Sequence, residues 1–526
     1  MTVTKQARTL ILGASALALV GCGADEIVSP GTGGDIIINN PSPTPTPTPT
    51  PPTTGRLITP AAGCPTIANA TQLTDDGTIS GPTGEYRVCT MPARFDTSST
   101  LPFNEGILYR MNGRVDVGTD GGPAPDASDG ASDTDVTLTL EPGVIVYASG
   151  SSFLMVNRGN QIQAVGTQDR PIIFTSRDNV QGLNNANSSG QWGGVVLGGR
   201  APVTDCIAPG ATPGSVNCER QVEGAAQPAV FGGATRNDSS GALAFVQIRY
   251  SGFVLSGDNE LQALTTGGTG TGTTFDSVMS YNSSDDGVEF FGGSVNAKRL
   301  IVVGAEDDSI DTDTGVKANL QFVIAIQREA AGDTIIEADS TNGLESQTPR
   351  QNTRISNFTF VQNRNDDQVV RIRGEADYTL VNGLIFDNTP GTPCIRIDQA
   401  GTLAGANAST DEAGPVRFES VVLDCATDFR DGSSGVTAAQ AQGAFDAGSN
   451  NNAGFTNTLS MTFINGSNEN GVAVFDPTAL SSFFETVSNI GAVYPGNDTW
   501  VNGWTCNSAT VTFDANVSDC TALPVY

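Results

Sequence analysis

The main part of the chain consists of short apolar runs separated by polar turns. From about Asp135 onward, runs rich in Val, Ile and Phe, such as residues 144–146, 153–156 and 172–174, alternate with turns of Gly, Asn and Asp. Apolar runs of this length, bounded by such turn residues, are typical of β-strands. No segment of the repeat before the late 430s has the periodicity of an amphipathic helix. The pattern therefore predicts an all-β fold.

An internal repeat narrows this fold class. Acidic turns precede a short apolar segment at several places, and the first apolar residue recurs at positions 261, 288, 310, 335 and 369, at intervals of 27, 22, 25 and 34 residues. Coils of roughly 20–30 residues with loop insertions are what a β-solenoid needs, since each coil buries its interior by stacking on its neighbours. A propeller blade would need ~40–50 residues, and a β-sandwich predicts hairpin turns without acidic turns in one register.

Particular segments carry a family resemblance. The succession of an apolar strand, a glycine turn and the stretch from AVGT (164–167) to RPIIFTS (170–176) resembles the first coils of bacterial right-handed parallel β-helix proteins. The segments 191–194, 283–300 and 484–504 also resemble this group of secreted and surface proteins, most of which have no assigned function. The resemblance implies a right-handed parallel β-helix, a solenoid, which we predict over residues 135–430.

The chain on either side of the repeat is predicted to cover the two ends of the solenoid. A solenoid end exposes unpaired backbone groups and requires a cap. Residues 438–445 and 477–484 have the composition of short helices, so we assign residues 431–526 to a mixed C-terminal cap that contains short helices. Residues 56–134 are assigned to an N-terminal cap with an acidic loop.

The first residues predict export. Lys5 and Arg8 precede the apolar residues 10–20, a stretch too short to span a bilayer as a helix and typical of a signal peptide. The sequence Leu-Val-Gly-Cys at 19–22 resembles the lipobox of bacterial lipoproteins, which implies that residues 1–21 are removed and Cys22 is lipidated; a plain secretory signal with a chance cysteine is the alternative. By the sorting rule of that family, Gly23 implies the outer rather than the inner membrane of a Gram-negative cell. We expect the lipid-anchored protein to be exposed at the cell surface, like the β-helix proteins that it resembles.

A stalk is predicted between this anchor and the folded part. Residues 41–52 alternate Pro with Thr or Ser, a composition that cannot form a core and favours extended polyproline II. At ~3.1 Å per residue the run spans roughly 35–40 Å. We therefore assign residues 22–55 to a lipidated cysteine and a Pro/Thr-rich stalk.

Composition excludes several classes of function. The chain has 26 Lys and Arg against 56 Asp and Glu, a net charge of −30, which makes nucleic acid and anionic lipid poor partners. It contains no histidine, so Ser-His-Asp and Cys-His catalysis and every histidine-ligated metal site are excluded.

The cysteines predict disulfides. With Cys22 assigned to lipid, eight cysteines remain, and an even number in an exported chain favours disulfide pairing. A cysteine-ligated metal is the alternative, but the chain has no C-x-x-C motif. The remaining cysteines form four local pairs along the sequence, which we predict as Cys64 with Cys89, Cys206 with Cys218, Cys394 with Cys425, and Cys506 with Cys520.

The densest group of candidate site residues is acidic. If the 22-residue interval from 288 to 310 is one coil, then carboxylates of successive turns stack on each other ~4.8 Å apart. Such a ladder is destabilising unless it is solvated, protonated or bridged by a cation, and hard oxygen ligands at this spacing suit Ca²⁺. Calcium is thus the candidate cofactor, and a solvated acidic turn on a very acidic protein is the interpretation that competes with it. The candidate metal ligands are Asp285, Asp286, Glu289, Asp307, Asp308, Asp311 and Asp313.

Aromatic side chains that could stack on sugars are sparse. Phe290 and Phe291 are expected to fill the interior of a coil, and Trp500 and Trp504 are expected to pack in the C-terminal cap. Contact with a ligand is the alternative role of the two tryptophans.

Cleavage of a glycan is the functional alternative that the β-helix resemblance implies, because many such proteins are pectinases or polysaccharide lyases. Polygalacturonase-like enzymes use a Gly-His-Gly and an Arg-Ile-Lys motif; here the histidine is absent, and Arg371-Ile372-Arg373 departs from the second motif. Lyases pair Ca²⁺ with a Lys or Arg base. Candidates for that base are Lys298, Lys317, Arg371, Arg373 and Arg396, and ion pairing with neighbouring Asp and Glu is the alternative role of the arginines.

The sequence therefore predicts a surface lipoprotein that acts by binding or assembly at the outer membrane, and we assign no catalytic residue. The expected partners are the membrane itself, a surface glycan, other copies of the chain, or an outer-membrane transporter that the lipoprotein would serve as an accessory. The alternative is a Ca²⁺-dependent polysaccharide lyase or hydrolase.

Overall fold

The computed structural model describes residues 56–526 apart from 126–134, 223–227, 257–258, 341–342, 390 and 497. The predicted signal peptide, Cys22 and the Pro/Thr-rich stalk lie outside the described residues. Contacts along the chain separate residues 1–56 from a second unit, residues 57–526, and the following description concerns that second unit. No helix in the described part of the chain is long and apolar enough to cross a membrane.

Two large sheets, in which nearly all neighbouring strands are parallel, form the body of the described structure. The broad sheet has 15 strands: Thr74–Gly81, Gly84–Thr90, Ser99–Leu101, Ile107–Arg110, Thr137–Leu140, Ile145–Ala148, Gln161–Val165, Ile172–Ser176, Gly241–Arg249, Thr274–Tyr281, Ser294–Val303, Lys317–Ile326, Asn352–Gln362, Asp377–Asp387 and Arg417–Asp424. The narrow sheet has 11 strands: Arg94–Phe95, Val115–Val117, Gly150–Val156, Trp192–Gly198, Leu264–Gly267, Val288–Phe291, Ile310–Asp313, Ile336–Ala338, Val370–Ile372, Pro393–Ile397 and Thr427–Arg430.

Smaller elements lie in the insertions and near the ends. Two short antiparallel ladders pair Arg220–Gln221 with Val230–Phe231 and Val254–Ser256 with Asn259–Glu260. The α-helices of the described chain are Arg177–Gln181 and Ala438–Asp446, and the 3-10 helices are Ala400–Leu403, Ala408–Thr410, Glu469–Gly471 and Pro477–Ala479.

Each coil of the solenoid uses one strand of each sheet in turn. The chain runs through Val288–Phe291 of the narrow sheet, then through Ser294–Val303 of the broad sheet, and returns by an acidic turn to Ile310–Asp313. Val288 is the register partner of Ile310, so this coil has the 22 residues that the repeat predicts. The right-handed parallel β-helix is confirmed.

A column of left-handed residues divides the broad sheet into two faces. The long strands bend at one residue with positive φ, and on successive coils this residue occupies the equivalent position, between the paired residues on either side of it. These residues are Phe245, Ser277, Arg299, Phe322, Asn357, Asn382 and Ser420. A non-glycine residue in this conformation costs about 1–2 kcal/mol. The bend forms a corner of the coil, and the equivalent corners of the coils on both sides stabilise it by stacking. The solenoid is consequently three-sided.

The interior holds one continuous apolar core. Alternate strand residues point inward, as Val288 and Phe290 do, and stack on the equivalent residues of the next coil, such as Ile310. Residues between them point outward and form the columns on which any site on a flank must be built.

The parallel pairing begins earlier than the sequence pattern predicts. Arg87 already pairs in parallel with Ile107, well before residue 135, and Arg94 pairs with Asp116 on the narrow sheet. The segment that the sequence assigns to an N-terminal cap therefore supplies coil strands, and the strand Thr74–Gly81 pairs in antiparallel orientation with the first of them. The sequence pattern misses these coils because a long insertion follows Val117.

The C-terminal region occupies two different positions. The helix Ala438–Asp446 begins at a capping box of Thr437 and Gln440 and packs Phe445 on Phe418 of the last broad-sheet strand. Residues 455–526, which we call the C-terminal strap, instead run back along the outside of the broad sheet toward its first coils. Gln321 there contacts Glu485, Gln247 contacts Trp504, and Asn179 contacts Cys520. The predicted short helix at 477–484 is reduced to the 3-10 helix Pro477–Ala479.

The strap creates a second apolar core outside the solenoid. Outward residues of the broad sheet such as Tyr281, Ile301 and Ile324 pack against strap residues that include Trp504 and Phe513. Both tryptophans lie in this layer, with Trp504 fully buried and Trp500 half-buried. Their predicted packing role is confirmed, although the layer lies on a flank rather than at the end of the solenoid.

All four predicted disulfides form. Cys64 is bonded to Cys89, Cys206 to Cys218, Cys394 to Cys425, and Cys506 to Cys520. Each bond closes a segment of 12 to 31 residues, so the local pairing argument is confirmed.

Candidate functional site

An outward column of charged residues runs along the narrow sheet. Register pairing places Glu289 beside Asp311, and Asp311 beside Glu337. On the following coils the same column continues as Arg371, Arg396 and Arg430. Because adjacent strands lie ~4.8 Å apart, three carboxylates and then three guanidinium groups follow each other along one flank.

A second acidic column lies in the turn that precedes each of these strands. The Oδ1 atom of Asp286 accepts a hydrogen bond of 2.9 Å from the backbone N–H of Asp308, and Oδ1 of Asp308 accepts one of 2.9 Å from the N–H of Thr334. Each carboxylate thus binds a backbone donor of the next coil. This role explains why an acidic residue recurs at the turn although its neighbours along the column are also acidic.

The two columns, together with the acidic residues that directly precede the second column in the turns, form what we call the acidic face. Oxygen atoms of its residues lie within 4.8 Å of one another in four overlapping groups, each of three carboxylates. The members are Asp285, Asp286, Glu289, Asp307, Asp308, Asp311, Asp333 and Glu337. Six of the seven predicted metal ligands are therefore brought together, as stacking at a 22-residue interval predicts.

Asp313 is the predicted ligand that does not join these groups. It lies two residues beyond Asp311, so its column is ~6.6 Å further along the strand. Its Oδ1 accepts a hydrogen bond from the N–H of Thr314 at 2.5 Å. Side chains alternate between the two sides of the strand, so Asp313 points outward like Asp311 but lies outside the acidic face.

Asp333 and Glu337 are acidic-face residues missing from the predicted metal ligands. The acidic turn Gly332-Asp333 is part of the sequence repeat, and this was the signal that could have identified Asp333. Glu337 follows Asp311 at a separation that differs from the 22-residue spacing, so only the strand register places it in the column.

Burial makes the acidic face electrostatically costly. Asp286 and Asp308 are each 5% exposed, and burial followed by neighbouring carboxylates raises the pKa of both side chains well above the usual value of 3.8. At the rim, burial and then Asp285 raise the pKa of Asp307 to about 6, and burial and then Asp366 raise that of Asp333 to about 6. Protons or a cation would relieve this repulsion.

The donor set fits a hard divalent cation. The acidic face borders a groove of about 510 Å³ whose lining includes Gln262 and Ser284, and Gln262 donates a hydrogen bond of 3.1 Å to Asp285. The Oδ1 atom of Asp311 is buried and has no hydrogen-bond partner among the described residues. Carboxylate, amide and hydroxyl oxygens are the ligands that Ca²⁺ takes, six to eight at a time at roughly 2.3–2.6 Å.

Ion pairs occupy the basic half of the column. Arg371 contacts Glu337 at 2.9 Å and Asp398 at 3.0 Å. Arg373 contacts Glu337 at 3.0 Å, and Arg396 contacts Asp398 at 2.6 Å. Each candidate lyase arginine therefore has a carboxylate partner, the alternative role that the sequence allows.

The two candidate lysines lie elsewhere. Lys298 and Lys317 are on the broad sheet, where Lys298 contacts Glu485 and Lys317 contacts Asp411 at 2.8 Å. The three-sided coil separates them from the acidic face, because consecutive faces of the solenoid point in different directions.

The acidic face begins where an insertion ends. On the earlier coils the outward side of the narrow sheet is apolar and is covered by residues of 203–231, including Val203 and Phe231. Phe291 belongs to this outer cluster, with its ring 6.0 Å from that of Phe231. The expectation that Phe291 fills the coil interior is wrong, because it alternates with Phe290, which does point inward.

Comparison with known proteins supports the fold and its class. Residues 130–505 match the family model described as a pectate-lyase-like β-helix domain. Neither the curated proteins nor the solved structures gave a match.

Proposed function

The chain belongs to the family of pectate-lyase-like β-helix domains, and from this premise we propose that it binds an acidic polysaccharide through Ca²⁺ on its acidic face, at the cell surface and without cleaving it. The observation that carries the proposal is the continuous set of stacked carboxylates from Glu289 to Glu337. A bare acidic surface repels a polyanion, whereas a surface that holds divalent cations can share them with the carboxylates of the glycan.

The geometry favours sharing of the cation. Each group within the acidic face contributes three carboxylate residues, and Ca²⁺ takes six to eight oxygen ligands. Positions therefore remain for oxygens of a ligand. The groups repeat along the solenoid axis at the coil spacing, which suits an extended polymer with regularly spaced carboxylates.

Binding is favoured over cleavage by the state of the basic residues. A general base must reach the proton that it abstracts and must be able to accept it. Arg371, Arg373 and Arg396 are each held by carboxylates at 3.0 Å or less, and such pairing stabilises the protonated guanidinium. The chain also has no histidine.

A Ca²⁺-dependent lyase is the second candidate function. One observation favours it: Arg371 is the next residue after Glu337 in the outward column, so a cation-binding carboxylate and a guanidinium group lie side by side. In that case Arg371 would have to exchange its carboxylate partners for the substrate.

The lipid anchor is part of the proposal. We propose acylation of Cys22 and attachment to the outer membrane, with the Pro/Thr-rich residues as a tether. An accessory role at an outer-membrane transporter would use the same anchor. So would self-association through the flank that carries the acidic face.

A retention experiment tests the proposed binding. The mature chain is passed over immobilised polygalacturonate or alginate with Ca²⁺ and then with a chelator. We expect retention that requires Ca²⁺ and is lost in the variant D308N/D311N, while D446N, which removes a charge from the exposed surface of the helix Ala438–Asp446, keeps it. Retention that is unaffected by the chelator, or absent in Ca²⁺, would contradict the proposal.

A product assay separates the two candidates. Incubation of the same glycans with Ca²⁺ should release neither new reducing ends nor unsaturated products. Product formation that disappears in R371A would favour the lyase.

A further inference from the structure

Arg249 lies between the solenoid and the C-terminal strap. It is the last residue of the strand Gly241–Arg249, and its register partner Tyr281 belongs to the outer apolar core. The strap covers it so completely that the residue is 1% exposed. A guanidinium group stays protonated in proteins, so a positive charge is buried in this layer.

The hydrogen bonds of Arg249 leave two donors unused. Its Nε donates to Oε1 of Gln247 at 2.7 Å, and its Nη1 donates to the carbonyl oxygens of Cys520 at 2.9 Å and Ala522 at 3.0 Å. A guanidinium group has five N–H donors. Both N–H groups of Nη2 are therefore without a hydrogen-bond partner in the described structure.

The partners of Arg249 are neutral. Within the described residues no carboxylate oxygen lies within 4.0 Å of its nitrogen atoms. Asp519 acts on the guanidinium group only through space, and its Oδ1 accepts hydrogen bonds from the backbone N–H and the hydroxyl of Thr521, at 2.9 and 2.8 Å. Asp169, at the rim, accepts one from the hydroxyl of Thr167 at 2.8 Å. A buried charge without a counter-charge in contact destabilises the folded state.

A cavity of about 170 Å³ lies against this guanidinium group. The strand contributes Arg249 and Gln247 to its wall, and the strap contributes Thr505, Asn516, Ser518 and Tyr526. The wall therefore combines one buried cation with amide and hydroxyl groups, and the carboxylate of Asp169 completes its lining at the rim. That combination is typical of a site for a small anion.

We infer that this cavity binds a small oxoanion, a carboxylate, sulfate or phosphate group, which accepts hydrogen bonds from Nη2 of Arg249. The bound anion supplies a counter-charge in direct contact, which the described residues do not provide, and it joins the strand Gly241–Arg249 to the strap residues near Thr505 and Ser518 that line the cavity. The inference is independent of the proposed glycan binding, because the cavity is on the broad sheet and the acidic face is on the narrow sheet.

The source of the anion is either a free ion or a charged group of a glycan. Calorimetric titration of the mature chain with sulfate, phosphate and acetate tests the free ion, and titration with galacturonate tests the glycan group. The protein for all four titrations is freed of Ca²⁺ with a chelator that is then removed by dialysis. Neither Ca²⁺ on the acidic face nor the carboxylates of the chelator then contribute. We expect saturable binding of at least one of these four anions and a higher midpoint of thermal unfolding in its presence.

Two variants assign the binding to Arg249. R249Q removes the charge, and Q247E places a carboxylate beside the retained guanidinium group, where the Oε1 atom of Gln247 now accepts its hydrogen bond. Each variant should lower the affinity for the anion about tenfold or more. The control R430Q removes a charge from the last strand of the narrow sheet, outside the cavity wall, and should retain the affinity of the unmodified chain.

Two results would overturn the inference. One is the absence of saturable binding for all four anions. The other is an affinity in Q247E equal to that of the unmodified chain, a comparison that remains informative even if R249Q does not fold.

Discussion

Glu337 and Arg371 occupy the same outward position on adjacent coils and form an ion pair of 2.9 Å. This pair is the boundary in the charged column of the narrow sheet: the carboxylates before it stack on one another, whereas the guanidinium groups after it are all matched by carboxylates. The unbalanced charge of the flank is therefore confined to the acidic face, and the predictions about cations and pH concern that half.

Calcium should stabilise the folded chain. The acidic face has carboxylates such as Asp286 and Asp308 that are buried beside like charges, so an ion that binds only the native state raises the free energy of unfolding, by ~2.7 kcal/mol at a hundredfold excess over its Kd. Thermal unfolding with Ca²⁺ and with a chelator measures this. D308N should reduce the response and D446N should not; a midpoint that Ca²⁺ leaves unchanged would identify the acidic face as a solvated turn.

The stability of the chelated protein should depend on pH through Asp307 and Asp333. Burial and neighbouring carboxylates raise the pKa of each from 3.8 to about 6, so the native state holds protons that the unfolded state has released. The free energy of unfolding contributed by these groups therefore falls as the pH rises from about 4 to about 6. In denaturant titrations D307N/D333N should gain stability over the unmodified chain across this interval. A difference that is constant with pH, as expected for the control D446N, would contradict the raised pKa values.

Loss of the buried carboxylate of Asp398 should destabilise the basic half. Asp398 is 1% exposed and contacts Arg371 at 3.0 Å and Arg396 at 2.6 Å. The isosteric D398N leaves two guanidinium groups partly uncompensated, and we expect a loss of about 3 kcal/mol at neutral pH. The control E485Q breaks the exposed pair with Lys298 and should cost less than about 1 kcal/mol. If chemical denaturation gave the same loss in the free energy of unfolding for D398N and E485Q, the buried ion pairs would stabilise the fold no more than the exposed one.

Truncation of Trp504 should loosen the C-terminal strap. Its ring is fully buried and meets Phe245 of the broad sheet at a centroid distance of 6.1 Å, so W504A should cost ~3–5 kcal/mol. Limited proteolysis should then cleave within residues 455–526 before it cleaves the solenoid. L183A, at an exposed leucine, is the control and should change stability by less than about 0.5 kcal/mol. Cleavage that begins in the coils of W504A would contradict the strap as the less stable part.

Replacement of Cys22 should release the protein from the membrane. The lipobox resemblance of residues 19–22 predicts that the thiol of Cys22 carries lipid. The variant C22S has no thiol at this position, so it should carry no lipid anchor. Fractionation of cells should find C22S in the soluble fraction and the unmodified chain in the outer membrane. An intact mass of the mature unmodified chain without lipid would refute the anchor.

Part of the acidic face was predictable because one coil contains no insertion. The 22 residues from Val288 to Ile310 fix a register in which Glu289 must stack on Asp311, since the side-chain alternation of a strand allows no one-residue shift without turning the core outward. The same locality made the disulfides predictable, because each joins cysteines on neighbouring segments of the chain.

The remaining features depend on contacts between distant residues. Glu337 joins the acidic face across a longer coil whose loop length alone does not define the register, and the carboxylate partners of Arg371 come from the coils before and after it. The path of the strap is less predictable still, because Arg249 meets Cys520 across 271 residues. A repeating pattern of apolar residues determined that this chain folds as a solenoid, since stacking is the only way for each coil to bury its interior. Which outward charges face each other, and which flank the C-terminal residues cover, was decided by packing between segments whose order in the sequence does not specify their order in space.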